Sequence, residues 1–182
     1  MYRMVVGRND EACIRYLLAH GADPNLGPPM NAQGPIAQRR PQQNSGWNLD
    51  SAATHRTPDI FALLLSYGAR LENAIPLHHA AGSGPSPHGL PRTTRMPMLE
   101  YLVGLGLDVN ALDTGETTAP DGRGRTGTPL QYDVLWGCVE EAKWLLDRGA
   151  GPDKTSCFGV SARDRAKRLP LGHEISVLLQ GI

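Results

Sequence analysis

Six residues of this chain fit a phosphate-binding pattern, Gly122-Arg123-Gly124-Arg125-Thr126-Gly127. This spacing binds dinucleotides when a buried strand precedes the turn, because the following helix then points its N-terminus at the pyrophosphate. Residues 114–121 read Thr-Gly-Glu-Thr-Thr-Ala-Pro-Asp, which is not the apolar run of a buried strand. No Gly-Lys-Ser/Thr of a Walker loop follows. We interpret residues 122–127 as a flexible loop, and we keep nucleotide binding or enzymatic use of this loop as an alternative.

Metal binding and nucleophilic catalysis have weaker support. His78 and His79 are adjacent, and Cys138 is a third ligand type, but a zinc site needs about four convergent ligands, usually in close pairs. Cys13, Cys138 and Cys157 show no CxxC spacing, which favours free thiols over a disulfide framework. No Ser or Cys lies in a recognised nucleophile signature. The sequence therefore predicts no metal, no cofactor and no enzyme.

A repeated phrase indicates the elements that position these side chains. It consists of paired apolar residues, mostly leucine, two further residues, and then a glycine turn. Such a glycine is typical of a helix C-terminus, where a left-handed residue is needed. Recurrence of the phrase predicts a stacked array of short helical units. The phrase occurs at residues 17–23, 64–69, 102–108 and 145–150.

The fourth unit shows the predicted design most fully. Thr128 is a good N-cap residue, and Pro129 suits the first helical turn because its missing N–H is unsatisfied there in any case. Gly137 is expected to break this first helix, and Gly149 to close the second in a left-handed conformation. The apolar face of the first helix is predicted to contain Leu130, Val134 and Leu135.

Two motifs give this pattern a family resemblance. Pro76-Leu77-His78-His79-Ala80-Ala81 matches the helix-opening motif of ankyrin repeats, and Gly21-Ala22-Asp23-Pro24-Asn25 and Gly106-Leu107-Asp108-Val109-Asn110-Ala111 match their closing turn. The chain thus resembles an ankyrin-repeat protein of about five units, several of them degenerate. The resemblance implies an all-α, helix-turn-helix solenoid with long irregular finger loops. It also implies that His78 forms hydrogen bonds between neighbouring turns.

The spacing of the motifs predicts the layout of the chain. Met1 falls where the opening proline belongs, so we expect the chain to start inside a repeat, with upstream repeats of a larger chain as one candidate partner. The Pro/Gln-rich segment after the first closing turn is expected to be a flexible, largely disordered finger insertion. The predicted segments are a partial first repeat at 1–25, the finger insertion at 26–46, and repeats two to five at 47–182 with insertions near 82–95 and 114–127.

The aromatic residues supply the best candidates for binding. Tyr132 and Trp136 lie four apart on one helix and so share a face. The ankyrin resemblance places that face on the concave surface, where exposed Tyr and Trp are typical interface anchors; packing of Trp136 beneath a neighbouring loop is the alternative. Trp144 occupies an apolar stripe and is interpreted as core packing. The predicted partner-binding residues are Tyr132, Trp136, His79, Ser83, Trp47, Arg123 and Arg125.

Composition narrows the functional classes. The chain carries 18 basic and 18 acidic residues, and this balance argues against a nucleic-acid binder or a polybasic membrane anchor. No apolar run approaches the ~20 residues that span a bilayer. We therefore expect an intracellular protein, cytoplasmic or nuclear, that acts as a non-enzymatic protein-interaction module or scaffold. Its partner would bind the concave helices and the fingers. A truncated array without an independent partner is a further alternative.

Overall fold

The regular structure of the chain is helical. A computed structural model describes residues 11–29, 41–82, 95–113 and 127–181. Within these ranges lie nine α-helices, a short 3₁₀ helix at Leu71–Asn73 and an isolated β-bridge, which confirms the all-α class. The residues form two compact units, one ending at Pro76 and the other beginning at Leu77. The helices are α1 (Glu11–Ala19), α2 (Trp47–His55), α3 (Pro58–Ser66), α4 (Pro76–Ala81), α5 (Met96–Gly104), α6 (Pro129–Trp136), α7 (Val139–Leu146), α8 (Ala162–Ala166) and α9 (Glu174–Gln180).

Four of the helices end in the same turn, which confirms the predicted left-handed glycines. The glycine that follows α1, α3, α5 and α7 has a φ between 82° and 88°. The next residue then donates its N–H to the carbonyl of the leucine five positions earlier, which is the closure that a left-handed C′ residue permits. The four N–H···O bonds are Ala22 to Leu17 and Ala69 to Leu64 at 3.0 Å, Leu107 to Leu102 at 3.3 Å, and Ala150 to Leu145 at 3.0 Å.

The helices pack in pairs. In the first unit α2 packs on α3. In the second unit α6 packs on α7 and α8 on α9, and the two pairs also meet through α6 with α8 and α7 with α9. Burial of each leucine-sized side chain in these contacts stabilises the fold by roughly 1.5–3 kcal/mol. The core of the second unit includes Leu77, Leu99, Leu102, Leu130 and Leu145.

Helix α6 has the predicted bounds but a different apolar face. It begins at Pro129 after Thr128 and ends before Gly137, whose φ is 68°. Leu130 and Val134 are buried, whereas Leu135 is 44% exposed. The prediction that Leu135 belongs to the core is therefore wrong. Residues 130 and 134 lie on one stripe of the helix, and the next residue is turned away from it by about 100°.

The ends of the predicted finger insertion are paired. Gly27 and Gln42 exchange two backbone hydrogen bonds of 2.9 and 3.2 Å, and the Ser45 N–H donates to the Asn25 carbonyl at 2.8 Å. Backbone hydrogen bonds thus join the two ends of this predicted insertion. Residues 30–40 lie outside the described part, as do nearly all residues of the insertions near 82–95 and 114–127.

Candidate functional site

His78 ties α4 to the loops that precede α6. Its Nε2 lies 3.0 Å from the Ala111 carbonyl oxygen and 3.1 Å from the Gly127 carbonyl oxygen. Because both neighbours accept, Nε2 carries the proton and donates to them. This confirms the hydrogen-bonding role that the family resemblance implies for His78. The side chain is buried, so the two bonds fix one end of the 113–127 loop against the helix.

The same helical position makes the equivalent contact elsewhere in the chain. In α6 it is Gln131, whose Nε2 donates to the Lys154 carbonyl at 2.7 Å and the Val160 carbonyl at 3.0 Å. In α2 it is Asp50, whose Oδ1 accepts from the Ile75 N–H at 2.8 Å. Burial raises the pKa of Asp50, and that hydrogen bond opposes the rise. Helices α2, α4 and α6 therefore each use one buried polar side chain to hold the loop that follows.

Two asparagines form a second set of hydrogen bonds to the closing turns, which the sequence motifs did not predict. The Asn110 side chain donates to the Gly149 carbonyl at 2.9 Å and accepts from the Gly151 N–H at 2.7 Å. Asp108 holds this asparagine by accepting its N–H at 2.8 Å. Asn25 makes the same pair of bonds to the turn after α3, at 2.9 and 2.8 Å. The sequence signal that could have indicated these hydrogen bonds is the Asp-x-Asn spacing in both closing turns.

Tyr132 is buried, not exposed. Only 6% of the residue is accessible, its hydroxyl donates to the Asp113 carboxylate, and its ring meets His78 edge-on with centroids 5.3 Å apart. Asp113 is also buried and accepts the Gly127 N–H with its other oxygen. The predicted exposure of Tyr132 is wrong, because its hydroxyl belongs to the hydrogen-bonded base of the 113–127 loop.

The outward face of α6 is instead formed by its last turn. Leu135 is 44% exposed and Trp136 is partly exposed beside it. His79 in α4 and Trp47 in α2 are partly exposed as well. The structure thus brings Trp136 together with a leucine that the sequence analysis had assigned to the core. Three predicted binding residues lie outside the described part: Ser83, Arg123 and Arg125.

A second exposed apolar residue lies on the loop after α7. Phe158 is 73% exposed at the tip of a tight turn, in which the Ser156 N–H donates to the Val160 carbonyl at 2.9 Å. Gly159 supplies the left-handed residue of this turn, with a φ of 70°. Gln131 holds the base of the loop through its two bonds. Phe158 was not predicted as a binding residue, although the sequence shows an aromatic residue before a glycine in a connecting loop.

The structure also bears on the predicted metal, membrane, cysteine and tryptophan features. Among the described residues no three His, Cys, Asp or Glu side chains form a metal-binding group, and no helix there is long and apolar enough to cross a membrane. Cys13 is half-buried, Cys138 is buried and Cys157 is exposed. Trp144 is half-buried under the Arg148 guanidinium, 3.7 Å from the ring centroid.

The phosphate-loop alternative concerns residues 122–127, of which only Gly127 is described. Its N–H already donates to the Asp113 carboxylate. A phosphate would have to replace that buried carboxylate before it could accept the same N–H, because a single N–H aimed at one acceptor is not available to another.

Comparison with known proteins assigns no family to this chain. No protein-family model matches it. No curated protein is significantly similar to it in sequence.

Proposed function

We propose that the chain is an ankyrin-type solenoid and that it functions as a non-enzymatic interaction module or scaffold for a partner protein. The observation that carries the functional proposal is that Leu135 is exposed and Trp136 beside it is partly exposed, on a helix whose other faces are buried. Interface hot spots are typically aromatic residues surrounded by apolar contacts that exclude water. The repeated ties of His78, Gln131, Asn25 and Asn110 support the solenoid architecture.

The same ties explain how the surface would be presented. Helix α6 is anchored at Gln131 and Tyr132, so Leu135 and Trp136 occupy fixed positions before any partner arrives. Gln131 also holds the loop that carries Phe158. A rigid apolar surface binds with a smaller ordering cost than a flexible one. We propose Leu135 and Trp136 as the main anchor and Phe158 as a second contact.

We also propose a cytoplasmic or nuclear location. The three cysteines show no CxxC spacing, which favours a reducing compartment over a disulfide framework, and Cys157 is exposed. Thiol labelling of the freshly isolated protein tests it: prompt modification of Cys157 is expected, and a Cys157 that is recovered oxidised would contradict it.

A matched pair of variants tests the binding surface. Leu135 and Leu105 are equally exposed, at 44% and 43%, but Leu105 lies in the turn after α5. Capture from a native extract would compare wild type, Leu135→Asp, Trp136→Ala and Leu105→Asp, each first shown by circular dichroism to be folded. We expect a partner to be retained by wild type and Leu105→Asp and lost by the two α6 variants. Retention of the same partner by all four proteins would place the site elsewhere, and no retained protein would count against the module.

A further inference from the structure

Helix α6 carries a charged residue at a position where other first helices carry alanine. In α2 and α4 the position lies two residues after the side chain that holds the following loop, and it is occupied by Ala52 and Ala80. In α8 the corresponding residue, the fifth of the helix as in α6, is Ala166. All three alanines are buried, with exposures of 0 to 4%. In α6 the residue is Asp133, which is also 0% exposed. A carboxyl group in α6 therefore occupies the position that a buried methyl group occupies in the other three helices.

The surroundings of Asp133 do not satisfy it. Among the described residues neither carboxylate oxygen has a hydrogen-bond partner. Two charged residues act on it: Glu141 from α7, 3% exposed, and Arg95, which precedes α5 and is 6% exposed. Helix α8, which also packs on α6, contributes no charge among them. Burial raises the pKa of Asp133 most, Glu141 raises it further, and Arg95 opposes both.

An ionised carboxylate buried without hydrogen bonds is strongly unfavourable, so such a group stays protonated or forces its surroundings to open. We propose that Asp133 makes the α6–α7 pair a proton-dependent element: the pair packs closely while the carboxyl group is protonated and loosens when the group ionises. The inference stands on the burial and the missing partners of Asp133, and it holds whether or not a partner protein binds α6.

The direction of the pH effect follows from linkage. The unfolded-state pKa of an aspartate is about 3.9, and the folded-state pKa of Asp133 lies above it. Between the two values the closed pair holds a proton that the opened pair releases, so closure weakens as pH rises through this window. Below the window and above it, this group adds no pH dependence. One proton changes the opening equilibrium by at most about tenfold per pH unit.

The test is hydrogen exchange on the full chain between pH 5 and 8, corrected for intrinsic exchange rates. We expect the α6–α7 amides of wild type to lose protection with rising pH, by up to about tenfold per unit, while Asp133→Ala and Asp133→Asn show no such loss. Asp147→Ala, which removes an exposed carboxylate after α7, should keep the wild-type slope. The α8–α9 amides of the same unit provide the reference for opening of the whole unit.

Three results would overturn the proposal: no slope in wild type, the wild-type slope in both Asp133 variants, or an equal slope in α8–α9. A second measurement keeps the proposal falsifiable should Asp133→Ala not fold. In a pH titration followed by isotope-edited infrared spectroscopy, wild type should show a protonated aspartic acid band that persists above the ordinary aspartate pKa of about 3.9 and is missing in Asp133→Asn. A spectrum that the substitution leaves unchanged would show that another carboxyl group, such as the buried Asp50, holds the proton.

Discussion

Replacing His78 by leucine should destabilise the second unit, because it removes a buried donor while approximately preserving volume. The Gly127 carbonyl would keep one partner, the Asp113 N–H at 3.0 Å, but the Ala111 carbonyl would lose the side-chain donor. A hydrogen bond of this kind contributes about 1–1.5 kcal/mol net. The edge-on contact with Tyr132 adds about 0.5–1.5 kcal/mol. Together these contributions predict that the free energy of unfolding falls by about 1.5–3 kcal/mol.

His78→Gln separates the hydrogen bond from the ring contact. Gln131 already bridges two carbonyls from the equivalent position in α6, at 2.7 and 3.0 Å, so a glutamine amide has the reach required. We expect this variant to recover the donor and to lose only the contribution of the ring, about 1 kcal/mol. The difference between the leucine and glutamine variants therefore measures the tie itself.

Urea denaturation of the three proteins provides the measurement. With a slope of about 2 kcal/mol per M, the leucine variant should unfold at a midpoint roughly 0.75–1.5 M below wild type, and the glutamine variant about 0.5 M below. A leucine variant as stable as wild type would refute the reasoning. So would a glutamine variant no more stable than the leucine variant, since the bridging hydrogen bonds would then contribute nothing.

Five further substitutions test other contacts by the same denaturation measurement. Asn110→Ala and Asn25→Ala should each lower the free energy of unfolding by about 1–2 kcal/mol, because each removes two side-chain hydrogen bonds to a closing turn. Clearly unequal losses would show that the two sets of hydrogen bonds are not equivalent. Gly82→Ala should lower the free energy of unfolding by about 1–3 kcal/mol, since a Cβ there would lie 2.2 Å from the α6 backbone. The control Gly104→Ala, whose Cβ would meet no atom within 4 Å, should be neutral or stabilising. A neutral Gly82→Ala would contradict the close approach. Ser161→Ala removes the capping box of α8 and should cost about 0.5–2 kcal/mol, and an unchanged midpoint would refute that role.

The parts of the structure that are local in origin could be predicted from the sequence. A glycine four residues after the leucine that starts a closing phrase takes a positive φ because no other residue does so without strain, and Gly149 shows this directly. The start of α6 at Pro129 and its end before Gly137 follow from the same local preferences. The contact of His78 was predictable only through its place in a family motif.

The exposure of single side chains on α6 was decided by tertiary structure. Tyr132 and Leu135 exchange their expected roles, since the tyrosine hydroxyl finds the Asp113 carboxylate inside the unit and the leucine lies off the buried stripe. Periodicity gives the angle between two residues of a helix but does not identify the neighbour that covers each side.

The burial of Asp133 could not be predicted from the sequence either. Its type indicates a surface position, yet the packing of α6 against α7 and α8 buries it at a site that alanine fills in other helices. The sequence by itself determined the helices and their turns, because these depend on backbone dihedral preferences within a few residues. Only the tertiary structure decided which side chains are exposed, which hydrogen bonds join successive loops and which charge is buried, because those depend on atoms far apart in the chain.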